Sequence, residues 1–347
     1  MTLETVASAF LSGETPVCSK AFGSGHINST CLITTDKGNR YVLQSINTFV
    51  FPEPHKVMAN AVAVTQHLRS KKQAALEFLS DEAGNFCHRD LDGNCWRLYR
   101  FVDGLALDAP RCEEDLHQAG LAFGSFQKHL GDFPAQMLYE TIPHFHNTPD
   151  RYRTFKAAMA ANAAGRVGAV QQEIARFLEW EEIAGRLCKL YEQGLLPLRV
   201  THNDTKLNNV LLDKETGKAL CVLDLDTVMP GLSAWDFGDG IRFGAAVRGE
   251  DEDTNEMDLR RFAVFAAGFL EGAPNLTPAE IDVLPLGALT MTVEVGLRFL
   301  TDYLEGDRYF KTDHPDHNLI RARNQMALAA DMQKKLPQME QIIHAIR

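Results

Sequence analysis

Long apolar runs are missing from this sequence. Charge or glycine interrupts every hydrophobic stretch well before the roughly 20 residues that a membrane span needs. The opening MTLETVASAF lacks the basic, then apolar, then small-residue order of an export signal. A cytoplasmic protein with no membrane partner is therefore expected. Paired cysteine is also missing: the 7 cysteines, at positions 18, 31, 87, 95, 112, 188 and 221, are odd in number and include no C-x-x-C. Reduced packing thiols are expected, in preference to a disulfide frame or a thiolate metal site. There is no basic excess either. Lys and Arg total 35 against 46 Asp and Glu, a formal charge of −11, which argues against nucleic acid or an anionic membrane as partner. Any phosphate ligand must be held by local groups.

What is present is an ordinary globular composition, 45% hydrophobic and 23% charged, without repeats or low-complexity segments. Single cores stop growing at roughly 250–300 residues, so 347 residues imply two lobes. The stretch VCSKAFGSGHINSTCLITTDKGNRYVLQSIN reads as a strand, a turn at Gly23 and Gly25, a second strand, a hairpin turn at DKGN, and a third strand. Apolar residues at helical spacing follow Pro54 in PHKVMANAVAVTQHLRS, and CWRLYRFVDG reads as a last strand. Beyond about residue 104 the pattern is helical, as in EEDLHQAGLAFGSFQKHL, except between 198 and 229, where short β-rich runs surround a polar loop. The expected fold is α+β, with an antiparallel-sheet lobe and one main helix over 1–103 and a larger, mostly helical lobe over 104–347. Nothing marks a dimer helix, so a monomer or weak homodimer is expected.

The polar loop is THNDTKLNNVLLD, Thr201 to Asp213. His202, Asp204 and Asn209 make H-x-D-x-x-x-x-N, the spacing of kinase catalytic loops. Fifteen residues past Asn209, CVLDLD reaches Asp224, which a hairpin would bring beside the loop. Phosphoryl transfer needs alignment and charge neutralisation more than covalent help, hence Mg²⁺ on hard oxygen ligands. Asn209 and Asp224 can supply those oxygens. Asp204 can orient a substrate hydroxyl as base, and Lys206 can place a cation on the γ-phosphate. His202 is expected to brace the backbone near Asp224, and the acids of WDFGDG to support the loop.

HNDTKLNN together with VLDLD resembles the aminoglycoside-phosphotransferase-like superfamily of small-molecule kinases. FGSGHINST, YVLQSIN, LDLDTVMPGLSAWDFGDGIRFG and GLRFLTDYLEGDRYFK look most like one branch, the bacterial N-acetylhexosamine 1-kinases. The resemblance implies a kinase-like two-lobe fold with ATP between the lobes. It puts Gly23, Ser24, Gly25, His26 and Asn28 over the phosphates, and Tyr99 and Phe101 at the hinge beside adenine. The acceptor it implies is the anomeric hydroxyl of an amino sugar, N-acetylglucosamine or N-acetylgalactosamine. Another sugar, an aminoglycoside, choline or homoserine, or a nucleotide-binding pseudokinase, are the alternatives. In this superfamily late helices line the substrate pocket, which nominates Arg298, Asp302 and Tyr309, with Phe243 or Trp235 against the sugar ring.

The sequence departs from the usual kinase pattern in one place. The third strand of most kinases carries a Lys on the α- and β-phosphates, paired with a Glu from the next helix. Here Gln44 stands at that place, and the helix Pro54 to Ser70 has no acid at all. Gln44 is expected to give phosphate a neutral hydrogen bond, with charge compensation passing to the metal and Lys206.

Overall fold

The computed structural model describes residues 2–23 and 28–347. Its N-terminal sheet contains β1 (Pro16–Ala21), β2 (Ser29–Thr35), β3 (Arg40–Ile46), β4 (Phe78–Leu79), β5 (His88–Arg89) and β6 (Cys95–Arg100). The order is β1-β2-β3-β6-β4, with β5 also on β6, and every pairing is antiparallel. The β2–β3 hairpin closes at Gly38, whose φ of 79° is easy only for glycine. Along β3 the faces alternate. Tyr41 and Leu43 pack with Ile33, Leu98 and helix α1 (Leu3–Ser8), whereas Ile46 meets Val57, Met58 and Val62 of helix α2 (Pro54–Ser70). Each fully buried aliphatic here contributes roughly 1.5–3 kcal/mol. Gln44 shares the Ile46 face of β3, the side of α2.

The rest is mainly helical: α3 (Glu113–His129), α4 (Thr148–Ala161), α5 (Gln171–Glu179), α6 (Glu181–Ala184), α7 (Arg186–Glu192), α8 (Ser233–Gly244), α9 (Leu259–Gly272), α10 (Pro278–Asp282), α11 (Leu284–Glu305) and α12 (His317–Ile346). The α3–α9 contact is backbone on backbone. A Cβ on Gly120 would lie 2.3 Å from the Phe265 carbonyl oxygen, and one on Gly268 would lie 2.1 Å from that of His117. Held this close to its neighbour, α3 presents Phe123 and Phe126 edge-on to the His202 ring. Two small antiparallel sheets frame the polar loop: β7 (Arg199–Thr201) with β10 (Met229–Gly231), and β8 (Val210–Leu212) with β9 (Ala219–Val222). This is the expected α+β arrangement. Among the described residues no helix is long and apolar enough to cross a membrane.

The thiol expectation needs correction at two positions. Cys87 and Cys95 form a disulfide, because the β5–β6 hairpin turns the chain back and brings their Cα atoms to 5.9 Å. Cys18, Cys31, Cys112, Cys188 and Cys221 are free.

Candidate active site

The loop after β7 is held by buried acids of α8. Asp236 accepts the backbone N–H of His202 at 2.9 Å and of Asn203 at 2.7 Å, and it takes Gln127 Nε2 at 2.7 Å. Asp239 accepts the Thr205 N–H at 2.8 Å. Asn203 has φ 63°, a left-handed conformation that Asn tolerates better than most residues. Its side chain stabilises the turn by donating to the Thr227 carbonyl at 2.8 Å. His202 is fully buried; Nε2 donates to the Leu223 carbonyl at 2.7 Å, and Nδ1 accepts the Asp204 N–H at 3.3 Å. With one nitrogen donating and the other accepting, it is a brace between loop and hairpin, not a proton shuttle.

Four predicted residues meet at this loop. Lys206 Nζ lies 3.0 Å from Asp204 Oδ1. Asn209 Nδ2 donates to Asp204 Oδ2 at 3.0 Å and to its carbonyl at 2.8 Å. Burial works to raise the Asp204 carboxyl, but Lys206 and the Asn209 amide help to outweigh it and hold it below the usual carboxylate range. Asp204 is thus ionised at neutral pH with both oxygens oriented. Asp224 follows β9 at φ 53° and has no hydrogen bond or ion pair among the described residues. Asp224 is solvent-exposed, yet surrounding protein partly desolvates the carboxyl; with Asp226 and Asp204 nearby, it is pushed up to about 6.

These groups fit a magnesium ion. The Asn209 NH₂ is spent on Asp204, which leaves its Oδ1 lone pairs, and Asp224 is an unpartnered hard oxygen donor. Among the described residues no group of three or more His, Cys, Asp or Glu could cage a metal. Mg²⁺ commonly needs no such cage, because it takes one or two side-chain oxygens together with substrate phosphates and water.

A family model described as the phosphotransferase enzyme family matches residues 19–273. The chain belongs to the phosphotransferase enzyme family. Solved structures share the fold at low identity. The microcompartment-associated aminopropanol kinase is 16% identical with a TM-score of 0.70, covering 97% of each chain. An aminoglycoside phosphotransferase from Alicyclobacillus acidocaldarius is 14% identical with a TM-score of 0.65, covering 99% of this chain and 97% of that one. The amicoumacin kinase in complex with AMP-PNP and Ca²⁺ is 14% identical with a TM-score of 0.60, covering 98% of this chain and 92% of that one.

Ser24, Gly25 and His26 lie outside the described residues, and Gly23 precedes them at φ 81°. Asn28 Nδ2 donates to Asp226 Oδ2 at 2.7 Å, and its Oδ1 accepts the Asn47 N–H at 3.0 Å. Tyr99 packs edge-on to Phe78 at 5.5 Å, and burial pushes its phenol up. Phe101 meets Phe22 edge-on at 5.7 Å. Past Phe101 the chain crosses to the second lobe, where Leu105 pairs with Leu212.

Gln44 has protein partners at both ends of its amide. Its Oε1 accepts Arg97 Nε at 2.9 Å and Nη2 at 2.6 Å, while its Nε2 donates to Thr30 Oγ1 at 3.0 Å. The β3–β6 register sets Gln44 directly opposite Arg97, so its carbonyl is committed to the guanidinium and one amide N–H to Thr30, which leaves one N–H donor. The lobe therefore does contain a buried cation that the sequence reading missed, and Lys206 is not alone. Gln44→Ala would leave two buried guanidinium N–H groups unpaired and should cost about 1–3 kcal/mol of stability. Urea unfolding measures this; a midpoint equal to wild type would show that the pairing contributes nothing.

Of the residues expected around an acceptor, Arg298 and Tyr309 come together. The Arg298 guanidinium sits 5.1 Å from the Phe145 ring centroid, 5.7 Å from Tyr309 and 5.5 Å from Phe310, with no carboxylate partner among the described residues. Phe243 lies with its ring 3.8 Å from the Arg242 guanidinium and 5.3 Å from Lys206 Nζ, so it flanks the catalytic loop. Asp302 is occupied elsewhere. Oδ1 accepts the N–H groups of Arg308 and Tyr309 at 2.8 Å each, and Oδ2 accepts those of Phe310 and the Asn318 amide at 2.9 Å each. It fastens the turn after α11 and has no capacity left for a substrate hydroxyl. Trp235, also considered for the sugar ring, has a buried indole N–H without a partner among the described residues.

Proposed function

We propose that the chain is an ATP- and Mg²⁺-dependent kinase that phosphorylates the anomeric hydroxyl of an N-acetylhexosamine in amino-sugar salvage. The observation that carries the phosphotransfer is the ionised Asp204, ordered by Lys206 and Asn209, beside the unpartnered Asp224. Asp204 accepts the hydroxyl proton and holds the oxygen in line with the γ-phosphate. An anomeric hydroxyl suits such a weak base, being more acidic than an ordinary alcohol. Lys206 reaches toward the transferred phosphoryl group from Asp204, and Asn209 and Asp224 hold the metal. Bound Mg²⁺ supplies neutralisation of charge on the nucleotide phosphates.

Support for an amino sugar comes from the acceptor side. Arg298 offers guanidinium donors with no acid to satisfy them among the described residues, next to Tyr309 and Phe145. Such a surface suits sugar hydroxyls and an amide carbonyl, whereas a polycationic aminoglycoside needs clustered acids, and Asp302 is already spent. The test is incubation with ATP, Mg²⁺ and a panel of sugars and amino alcohols, followed by ³¹P NMR. An anomeric phosphate on N-acetylglucosamine or N-acetylgalactosamine is expected. Faster transfer to a non-sugar overturns the substrate, and nucleotide binding without transfer to any acceptor overturns the kinase.

A further inference from the structure

Arg97 is 2% exposed and Asp226 is 3% exposed, and Arg97 Nη1 donates to Asp226 Oδ1 in a buried ion pair between the lobes. A buried guanidinium is tolerated only if its donors are used; Nε and Nη2 are used on Gln44 of β3, directly across the sheet. The second oxygen of Asp226 takes Asn28 Nδ2 at 2.7 Å. One pair thus joins β3, β6, the chain entering β2 from the glycine turn, and the segment after β9. Asp224, two residues before Asp226, has no side-chain tie of its own among the described residues. Its place depends on the backbone at either side: Leu223, bonded to the Asn209 carbonyl and to His202, and Asp226, bonded to Arg97.

We infer that Arg97 is a positioning residue for phosphotransfer: with Asp226 it replaces the absent Lys–Glu pair, fixing the sheet against the Asp224 segment so that Asp224 is held toward the nucleotide. Pairing with Arg97 also commits Asp226 to structure and leaves Asp224 as the available metal oxygen. The effect appears in metal-dependent nucleotide binding. This rests on the phosphotransfer part of the proposed function and is independent of the acceptor.

The experiment uses two variants of the full chain. Arg97→Met with Asp226→Asn removes both charges together, which avoids an unpaired buried ion. Arg97→Lys keeps the charge, but an ammonium lacks the planar fork that reaches Gln44 and Asp226 at once. Calorimetry measures AMP-PNP affinity with and without Mg²⁺, and thermal melts report folding. In both variants the gain in affinity given by Mg²⁺ should fall about tenfold or more, the scale of losses for residues that orient metal ligands. Metal-free nucleotide affinity should stay near wild type. A lowered Tm with an unchanged Mg²⁺ gain would reduce the pair to a structural brace and overturn the inference. Should the double variant not fold, Arg97→Lys decides by the same criterion. Wild-type protein that fails to bind AMP-PNP with Mg²⁺ would instead overturn the kinase itself.

Discussion

Asp224→Asn is expected to leave a protein that melts about 1–3 °C higher and turns over at least about 100-fold more slowly. On the proposed function, stability and activity move apart because this carboxyl serves a ligand at a cost to the fold. Desolvation, Asp226 and Asp204 push it up to about 6, above its value in the unfolded chain. The sign follows from linkage. A carboxyl with a raised folded pKa holds its proton longer when folded, so rising pH favours unfolding until the folded group also ionises, and the cost is fully present above about 6. An amide of the same shape removes that cost. It also removes the anionic oxygen offered to the metal, whereas Asp204, Lys206 and Asn209 keep their mutual bonds. Melts at neutral pH without Mg²⁺, together with kcat for the acceptor found by ³¹P NMR, measure both halves. A lower Tm would mean that Asp224 is a structural acid; unchanged kcat would remove it from the site.

The parts of the site legible in the sequence are those whose geometry is local. His202, Asp204 and Asn209 lie within one loop, and Asp224 is brought back by the single β8–β9 hairpin that the apolar runs announced. Helices α2 and α3 were legible for the same reason, since helical spacing marks the face each one buries. Partnerships across the fold were not legible. Arg97 and Asp226 are 129 residues apart, and nothing in CWRLYR says which strand will lie beside it. Asp302, nominated for the substrate pocket, was misplaced because its partners are backbone groups beyond the helix end. Arg298 and Asp302 are four apart on a helix, the spacing of an ion pair. However, Gly306 turns the chain left-handed at φ 94°, and the N–H groups of Arg308, Tyr309 and Phe310 come back onto the carboxylate. Several backbone donors at 2.8–2.9 Å outweigh one half-buried cation that packs on aromatic rings instead.

A second distant pair predicts the other large effect. Glu294 of α11 is fully buried; its Oε1 lies 2.8 Å from His146 Nδ1, and its Oε2 accepts Thr148 Oγ1 at 2.6 Å. His146 Nε2 is 3.3 Å from the carbonyl of Asn203, the residue before Asp204. The helix core is thereby linked to the catalytic loop. Burial works to raise the Glu294 carboxyl, but His146, Arg151 and Thr148 outweigh it and hold it below its usual range. Glu294→Ala strands buried partners and should cost about 3–5 kcal/mol, a large share of the 5–15 kcal/mol typical of a folded domain. Because the Asn203 carbonyl loses its anchor, kcat should also fall by about 10–100-fold in the protein that remains folded. Glu294→Gln keeps the shape without the charge and isolates the ionic part. A depressed folded pKa contributes stability that is present above the unfolded Glu value of about 4.3 and is lost as pH falls through the folded value. The Tm advantage of wild type over Glu294→Gln should therefore be full at neutral pH and shrink below about pH 4. Melts of the two proteins across that range decide the point: an advantage that does not change with pH would mean that the charge on Glu294 contributes nothing, and that shape alone holds His146 against the loop.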